Sequence, residues 1–207
     1  MKKRIVSLLL AAALLTGAAS AAGEEGVAEQ PDLDLSAASA VLMEKETGSL
    51  LYEKESHQQL EPASVTKVMT LLLIMEDLDS GRLSKEDLVT VSAAAAGMGG
   101  SQVYLKEGEQ LSAGELIKCI AVVSGNDAAV AMAEHLAGSE AAFVERMNRR
   151  AQELGMKDTV FVNCTGLPAA GHHSSAYGIA LMSRELILHH PDIRTYTTIW
   201  MDSIRDG

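Results

Sequence analysis

Within the stretch EPASVTKVMTLLLIMEDLDSG, Ser64 and Lys67 stand three residues apart at the head of an apolar run. On a helix that spacing puts both side chains on one face. The backbone N–H groups at a helix start have no intrahelical partner. A serine placed there can attack a carbonyl carbon while its own N–H donates to the developing oxyanion. The lysine one turn on can take the serine proton only when it is neutral. Its ordinary pKa is about 10.4, so burial or nearby positive charge must lower it, and the run VMTLLLIM supplies burial. A Ser-x-x-Lys match arises by chance about once in a chain of this size, so the pair needs support from elsewhere.

A second constellation is Ser124-Gly125-Asn126, in VVSGNDAAVAMAEHLAG, between two helical patterns. A hydroxyl at Ser124 can relay a proton between Lys67 and a leaving amine. The Asn126 amide offers a donor and an acceptor to a substrate amide. Taken alone, Ser-Gly-Asn reads more simply as a turn that caps the following helix.

These residues need elements to hold them. The run AASAVLMEKETGSLLYEKES reads as a β-hairpin, with Gly48 free to take positive φ in the turn. A helix is expected from Ser64 to about Asp79, stopped by Gly81. Ser112 with Glu115 three residues later forms a capping box that starts SAGELIKCIAVV. Further helices are expected from Asp127 to Leu136, closed by Gly138, and after Ser139, ended by Gly155. DTVFVN reads as a short extended piece. Ser174 or Ser175 opens the last helix, which Pro191 terminates. One hairpin is a marginal sheet by itself. The expected class is therefore α+β, a helical subdomain beside an antiparallel sheet that is incomplete in this chain.

The first 21 residues have a basic start (Lys2, Lys3, Arg4), an apolar run and a small-residue end at Ala19-Ser20-Ala21. That is the layout of a secretory signal peptide cut near Ala21. Its apolar run is short for a span, which needs about 20 residues. Residues 22–36 are acidic and lack an apolar period, the pattern of a flexible lead-in. The net charge of −11 falls to −14 without the leader, a poor match for nucleic acid. In an exported protein Cys119 and Cys164 raise the question of a disulfide, although Cys119 lies on an apolar helix where a free thiol behaves as a small hydrophobe. No ligand spacing supports a metal site, including at His172-His173.

Ser-x-x-Lys at a helix start followed some 60 residues later by Ser-x-Asn is the order found in penicillin-recognising serine enzymes. The segments GGSQVYLKEGE, SGNDAAVAMAEHLAGSEAAFVERMN, LGMKDTVFVNCTGLP and GHHSSAYGIALMSREL resemble the low-molecular-mass D-alanyl-D-alanine carboxypeptidases. The resemblance runs from about residue 37 to 207, so this part is expected to be the N-terminal portion of the catalytic domain, with a serine β-lactamase/DD-peptidase-like fold. It implies Ser64 as nucleophile, Lys67 as general base, and Ser124 and Asn126 in the proton relay and substrate contact. The implied substrate is the D-Ala-D-Ala end of peptidoglycan stem peptides, with β-lactam antibiotics as inhibitors and no metal or organic cofactor. A β-lactamase on the same fold and a non-catalytic peptidoglycan-binding remnant are the alternatives. Ser-Gly-Asn suits a peptidase better than the Ser-Asp-Asn of class A β-lactamases.

Two departures stand out. No Lys-Thr-Gly or Lys-Ser-Gly triplet follows Ser124. In the family that triplet anchors the substrate carboxylate on a strand, so the chain as given is expected to be truncated and to turn over little substrate. Membrane association is expected only through a C-terminal region outside this chain. Gly178 stands where the family usually carries Asp, which puts a local helix contact in question. Met69, Met75, Met98, Met132, Met147, Met156 and Met182 read as core. Trp200 is expected to pack on the helical subdomain, and the ERMNRRAQE charges to form a solvated helix face.

Overall fold

The computed structural model describes residues 33–205. The signal-peptide reading of residues 1–21 and most of the proposed lead-in lie outside them. Among the described residues no helix is long and apolar enough to cross a membrane.

The hairpin forms as expected. Strands β1 (Ala40–Met43) and β2 (Leu50–Lys54) pair antiparallel with Leu42 opposite Tyr52. Gly48 turns the chain at φ +77°. The sequence reading missed a second two-stranded sheet, β3 (Leu88–Thr90) with β4 (Gln110–Ser112). Each of its strands has three residues, too few to show an alternating pattern.

A 3₁₀ turn (Ala63–Thr66) runs directly into helix α1 (Lys67–Asp79). Met69, Leu72, Ile74 and Met75 of α1 are fully buried. A helix that is apolar on every side belongs in the middle of a core. The short α2 (Ala93–Ala96) is capped by Ser92. Helices α3 (Ala113–Val123), α4 (Asn126–Ala137), α5 (Glu140–Glu153) and α6 (Ala176–His189) pack around α1. A second 3₁₀ turn (Pro191–Ile193) leads into α7 (Arg194–Thr197). The capping reading holds in detail. Ser112 and Glu115 make the reciprocal capping box of α3. Ser139 accepts from Ala142 N–H at the start of α5, and Ser175, the second of the two candidates, accepts from Gly178 N–H at the start of α6.

Six of the seven methionines read as core are buried, and Met98 is partly buried against the same cluster. Two other expectations fail. Trp200 is 94% exposed, although the residues just after it lie against α3, where Lys118 donates to Asp202 and Ser203 O. The charges of ERMNRRAQE are not simply solvated. Arg146 Nη2 donates to both carboxylate oxygens of Asp77, at 2.9 and 2.8 Å, and Arg82 reaches Asp77 from the other side. Arg150 clamps Glu76 of α1 and Glu185 of α6, at 2.7 and 2.6 Å. The long arginine stems let one helix face serve both water and the neighbouring helices. Asp77 is the buried centre of this network, with a side chain 2% exposed. Asp77→Ala is expected to lower stability by about 2–3 kcal/mol, measured by urea unfolding. This is below the ~3–5 kcal/mol of a fully buried pair because the Arg82 side chain reaches solvent.

Both cysteines are free and buried. Burial pushes the Cys119 thiol up to about 11 and the Cys164 thiol well above its usual value. At Gly178 an added Cβ would lie 2.7 Å from Thr159 Oγ1 and 3.2 Å from Ser174 Oγ. Those two hydroxyls hydrogen-bond each other at 2.8 Å. In this chain the space an Asp side chain would need is taken by that pair.

Candidate active site

Ser64 sits inside the 3₁₀ turn and is exposed, while Lys67 opens α1 and is 3% exposed. The expected α-helical start is thus tighter than read. Side chains at i and i+3 eclipse in a 3₁₀ turn, which stacks Ser64 over Lys67. Lys67 Nζ lies 3.5 Å from Ser64 Oγ and donates to Thr165 O at 2.8 Å. Burial pulls the Lys67 ammonium down to about 8, with Cys164 acting in the other direction. A lysine in this state has an accessible neutral form near neutrality.

The turn carrying Ser64 is held under strain. Ala63 has φ +45°, a region where a non-glycine residue is uncommon. Gly166, at φ +85°, lies so close that an added Cβ would sit 1.8 Å from Ala63 O. The Gly166 loop is shaped by Asn163, whose Oδ1 accepts from Thr165 N–H, Gly166 N–H and the Thr165 hydroxyl, at 3.1, 2.7 and 3.1 Å. The same loop aims Thr165 O at Lys67. Thr70 Oγ1 adds a hydrogen bond to Cys164 O at 2.7 Å. The sequence reading gave Asn163, Thr165 and Gly166 no role. Asn, Thr and Gly within residues 163–166 form a loop-type cluster, but nothing local says that this loop faces a lysine 98 residues earlier.

Ser124 caps the C-terminus of α3 in the left-handed region, at φ 57° and ψ 38°. Such strain in a non-glycine residue clusters at functional sites. The capping alternative does not hold, since the start of α4 has no side-chain cap hydrogen bond. Asn126 is 3% exposed. Its Nδ2 donates to Gly99 O at 2.7 Å, and its N–H donates to Ser101 O at 2.7 Å. The next residue, Asp127, was also unread. It is fully buried and accepts from the N–H groups of Val103 and Leu105, each at 3.0 Å. These bonds anchor the 99–105 loop against α4.

Hydrogen bonds join Ser64 to Lys67 and tie Asn126 to the 99–101 loop. Among the described residues none joins Ser124 to Lys67. The two halves meet around Gly100, where an added Cβ would lie 2.8 Å from Asn126 Nδ2 and 3.6 Å from the side chain of Leu167, the neighbour of Gly166.

Comparison with known proteins agrees with this architecture. The D-alanyl-D-alanine carboxypeptidase family profile matches residues 25–205. The D-alanyl-D-alanine carboxypeptidase DacF of Bacillus subtilis is 48% identical over 207 residues, which is 100% of this chain and 53% of that protein. The crystal structure of the D-alanyl-D-alanine carboxypeptidase DacD from Francisella tularensis superposes with a TM-score of 0.79 at 35% identity, covering 82% of this chain and 41% of that one. Penicillin-binding protein D2 from Listeria monocytogenes, in its ampicillin-bound form, gives 0.75 at 30% identity over 86% of this chain and 72% of that one. The chain spans about half the length of the curated relatives it matches. Its α+β architecture is that of the DD-peptidase and penicillin-binding-protein fold, and the chain belongs to the D-alanyl-D-alanine carboxypeptidase family.

Proposed function

We propose that Ser64 is the nucleophile of a serine-type D-Ala-D-Ala carboxypeptidase acting on peptidoglycan stem pentapeptides, with Lys67 as its general base. The observation that carries this reading is the buried Lys67 ammonium, pulled down to about 8 and set 3.5 Å from Ser64 Oγ. Ser64 Oγ attacks the carbonyl carbon of the penultimate D-alanine and passes its proton to Lys67. The peptide C–N bond breaks, and D-alanine leaves with a proton relayed through Ser124. Water then hydrolyses the ester. Asn126 Oδ1 orients the substrate backbone. A β-lactam presents the same kind of acyl group, and the ampicillin-bound form of the Listeria relative supports a penicillin-sensitive Ser64. The leader-like residues 1–21 support export to the cell envelope, with residues 37–207 forming the N-terminal part of the catalytic domain.

The test is intact mass of residues 22–207 after prolonged incubation with benzylpenicillin, beside Ser64→Ala. A covalent adduct on the wild type only is expected, and an adduct that survives Ser64→Ala overturns the assignment. Sustained release of hydrolysed penicillin would favour a β-lactamase. Peptide turnover by these residues is expected to be slow. They contain no Lys-Thr/Ser-Gly triplet after Ser124, and loss of one oxyanion donor alone costs roughly 10²–10³ in rate.

A further inference from the structure

His172 is 4% exposed and bridges two segments that the catalytic reading treats separately. Its Nδ1 lies 3.0 Å from Val162 N–H, and its Nε2 lies 2.8 Å from Thr66 Oγ1. A backbone N–H can only donate, so Nδ1 must be the acceptor and Nε2 must carry the ring proton. The tautomer is therefore fixed by the fold. Thr66 is the residue between Ser64 and Lys67 that faces inward, buried at 0% exposure. The ring is itself held. Its edge packs on Phe161, with centroids 5.9 Å apart at 62°. The backbone on its C-terminal side is pinned by reciprocal hydrogen bonds of His173 with Val160 and of Ser174 with Leu60.

We propose that His172 is a positioning residue for Ser64: as a neutral ring donating from Nε2 to Thr66 Oγ1, it fixes the turn that carries Ser64 and Lys67. The inference rests on the reading of Ser64 as nucleophile. A protonated ring has a second N–H at Nδ1, which would face the Val162 N–H, donor against donor. It would also place a charge in a buried site. Burial, followed by the neighbouring His173, holds the ring below its usual value of 6.5, and Glu61 acts in the other direction. Glu61 and His173 are the ionisable groups acting on the ring, while Lys67 Nζ is directed at Thr165 O and Ser64. With the folded value depressed, the folded state binds this proton less readily than the unfolded chain. The contact is intact above pH 6.5 and is lost as pH falls through the depressed value.

The experiment is a pH titration of ¹⁵N-labelled residues 22–207 by NMR, for the wild type and for Thr66→Val, which keeps the branched shape and replaces the Oγ1 hydroxyl with a methyl group. The His172 nitrogens are expected to report the Nε2–H tautomer with a midpoint below 6.5. The Ser64 and Lys67 amide resonances should shift with that same midpoint. In Thr66→Val, His172 should still titrate while those amides no longer follow it. Benzylpenicillin acylation of Ser64 should slow about tenfold in Thr66→Val, the loss of one buried hydrogen bond, and its wild-type acid limb should share the His172 midpoint. A proton on Nδ1, Ser64 and Lys67 amides that ignore the His172 titration, or unchanged acylation in Thr66→Val overturns the proposal. Should benzylpenicillin label no variant, the reading of Ser64 fails, while the amide titration still decides whether His172 controls the turn.

Discussion

Gly166→Ala is expected to destabilise the protein by about 4 kcal/mol or more, in the exceptional tail for a single substitution. Two costs add. The first is φ +85°, which carries about 1–2 kcal/mol for a residue with a Cβ. The second is steric: the new methyl would lie 1.8 Å from Ala63 O, 2.4 Å from Ala63 C and 2.9 Å from Thr66 Oγ1. The two nearest atoms are backbone, so no side-chain rotation relieves the overlap. The turn carrying Ser64 must move, and penicillin labelling should fall with stability. Gly171→Ala is the matched control. Gly171 has φ +83° and nothing within 4 Å of an added Cβ, so it meets only the conformational cost. Urea unfolding of both variants isolates the steric part. A difference of less than about 1 kcal/mol between them would mean that the interlock of Gly166 with Ala63 does not constrain the site.

Lys67→Met is expected to slow acylation of Ser64 by roughly 10²–10⁴-fold, the range for loss of a positioned general base. Methionine keeps much of the lysine stem volume and removes the basic nitrogen. The pH profile separates this role from a structural one. The working form of Lys67 is neutral, so the wild-type acylation rate should rise with pH through about 8 and level off above it. That limb should vanish in Lys67→Met. Lys67→Arg keeps a charge that cannot be removed, and it should be as slow as the methionine variant. Acylation of Lys67→Arg at the wild-type rate would show that charge alone, and not proton transfer, is what Ser64 requires. The Lys67 limb lies on the alkaline side of the His172 transition, so the two can be resolved in one profile.

The capping box of Ser112 and Glu115, the Ser139 cap and the Gly138, Gly155 and Pro191 boundaries were legible because each depends on residues within a few positions of one another. The β3–β4 sheet was not, because two three-residue strands separated by 19 residues leave no period to detect. The ERMNRRAQE segment was misread for a related reason. Its helical character is local, but the partners of Arg146 and Arg150 are Asp77, Glu76 and Glu185, on other helices. Trp200 was expected to pack on the helical subdomain from residue type, and residue type does not say which way a side chain turns.

By itself the sequence determined which residues could do chemistry and in what order. Ser64 and Lys67 share one turn, and i,i+3 proximity follows from helical geometry wherever the rest of the chain goes. Ser124 and Asn126 were identifiable by their order along the chain and by resemblance. Only the tertiary structure decided the proton affinity of Lys67. Its desolvation comes from the packing of α1 inside the helical core, and its hydrogen bond comes from Thr165, 98 residues away. The same holds for the Gly166–Ala63 contact and for the His172–Thr66 bond, which spans 106 residues. A side chain's hydrogen-bonding capacity is a local property, carried by its residue type. Its burial, its tautomer and its proton affinity depend on which distant groups the fold presses against it.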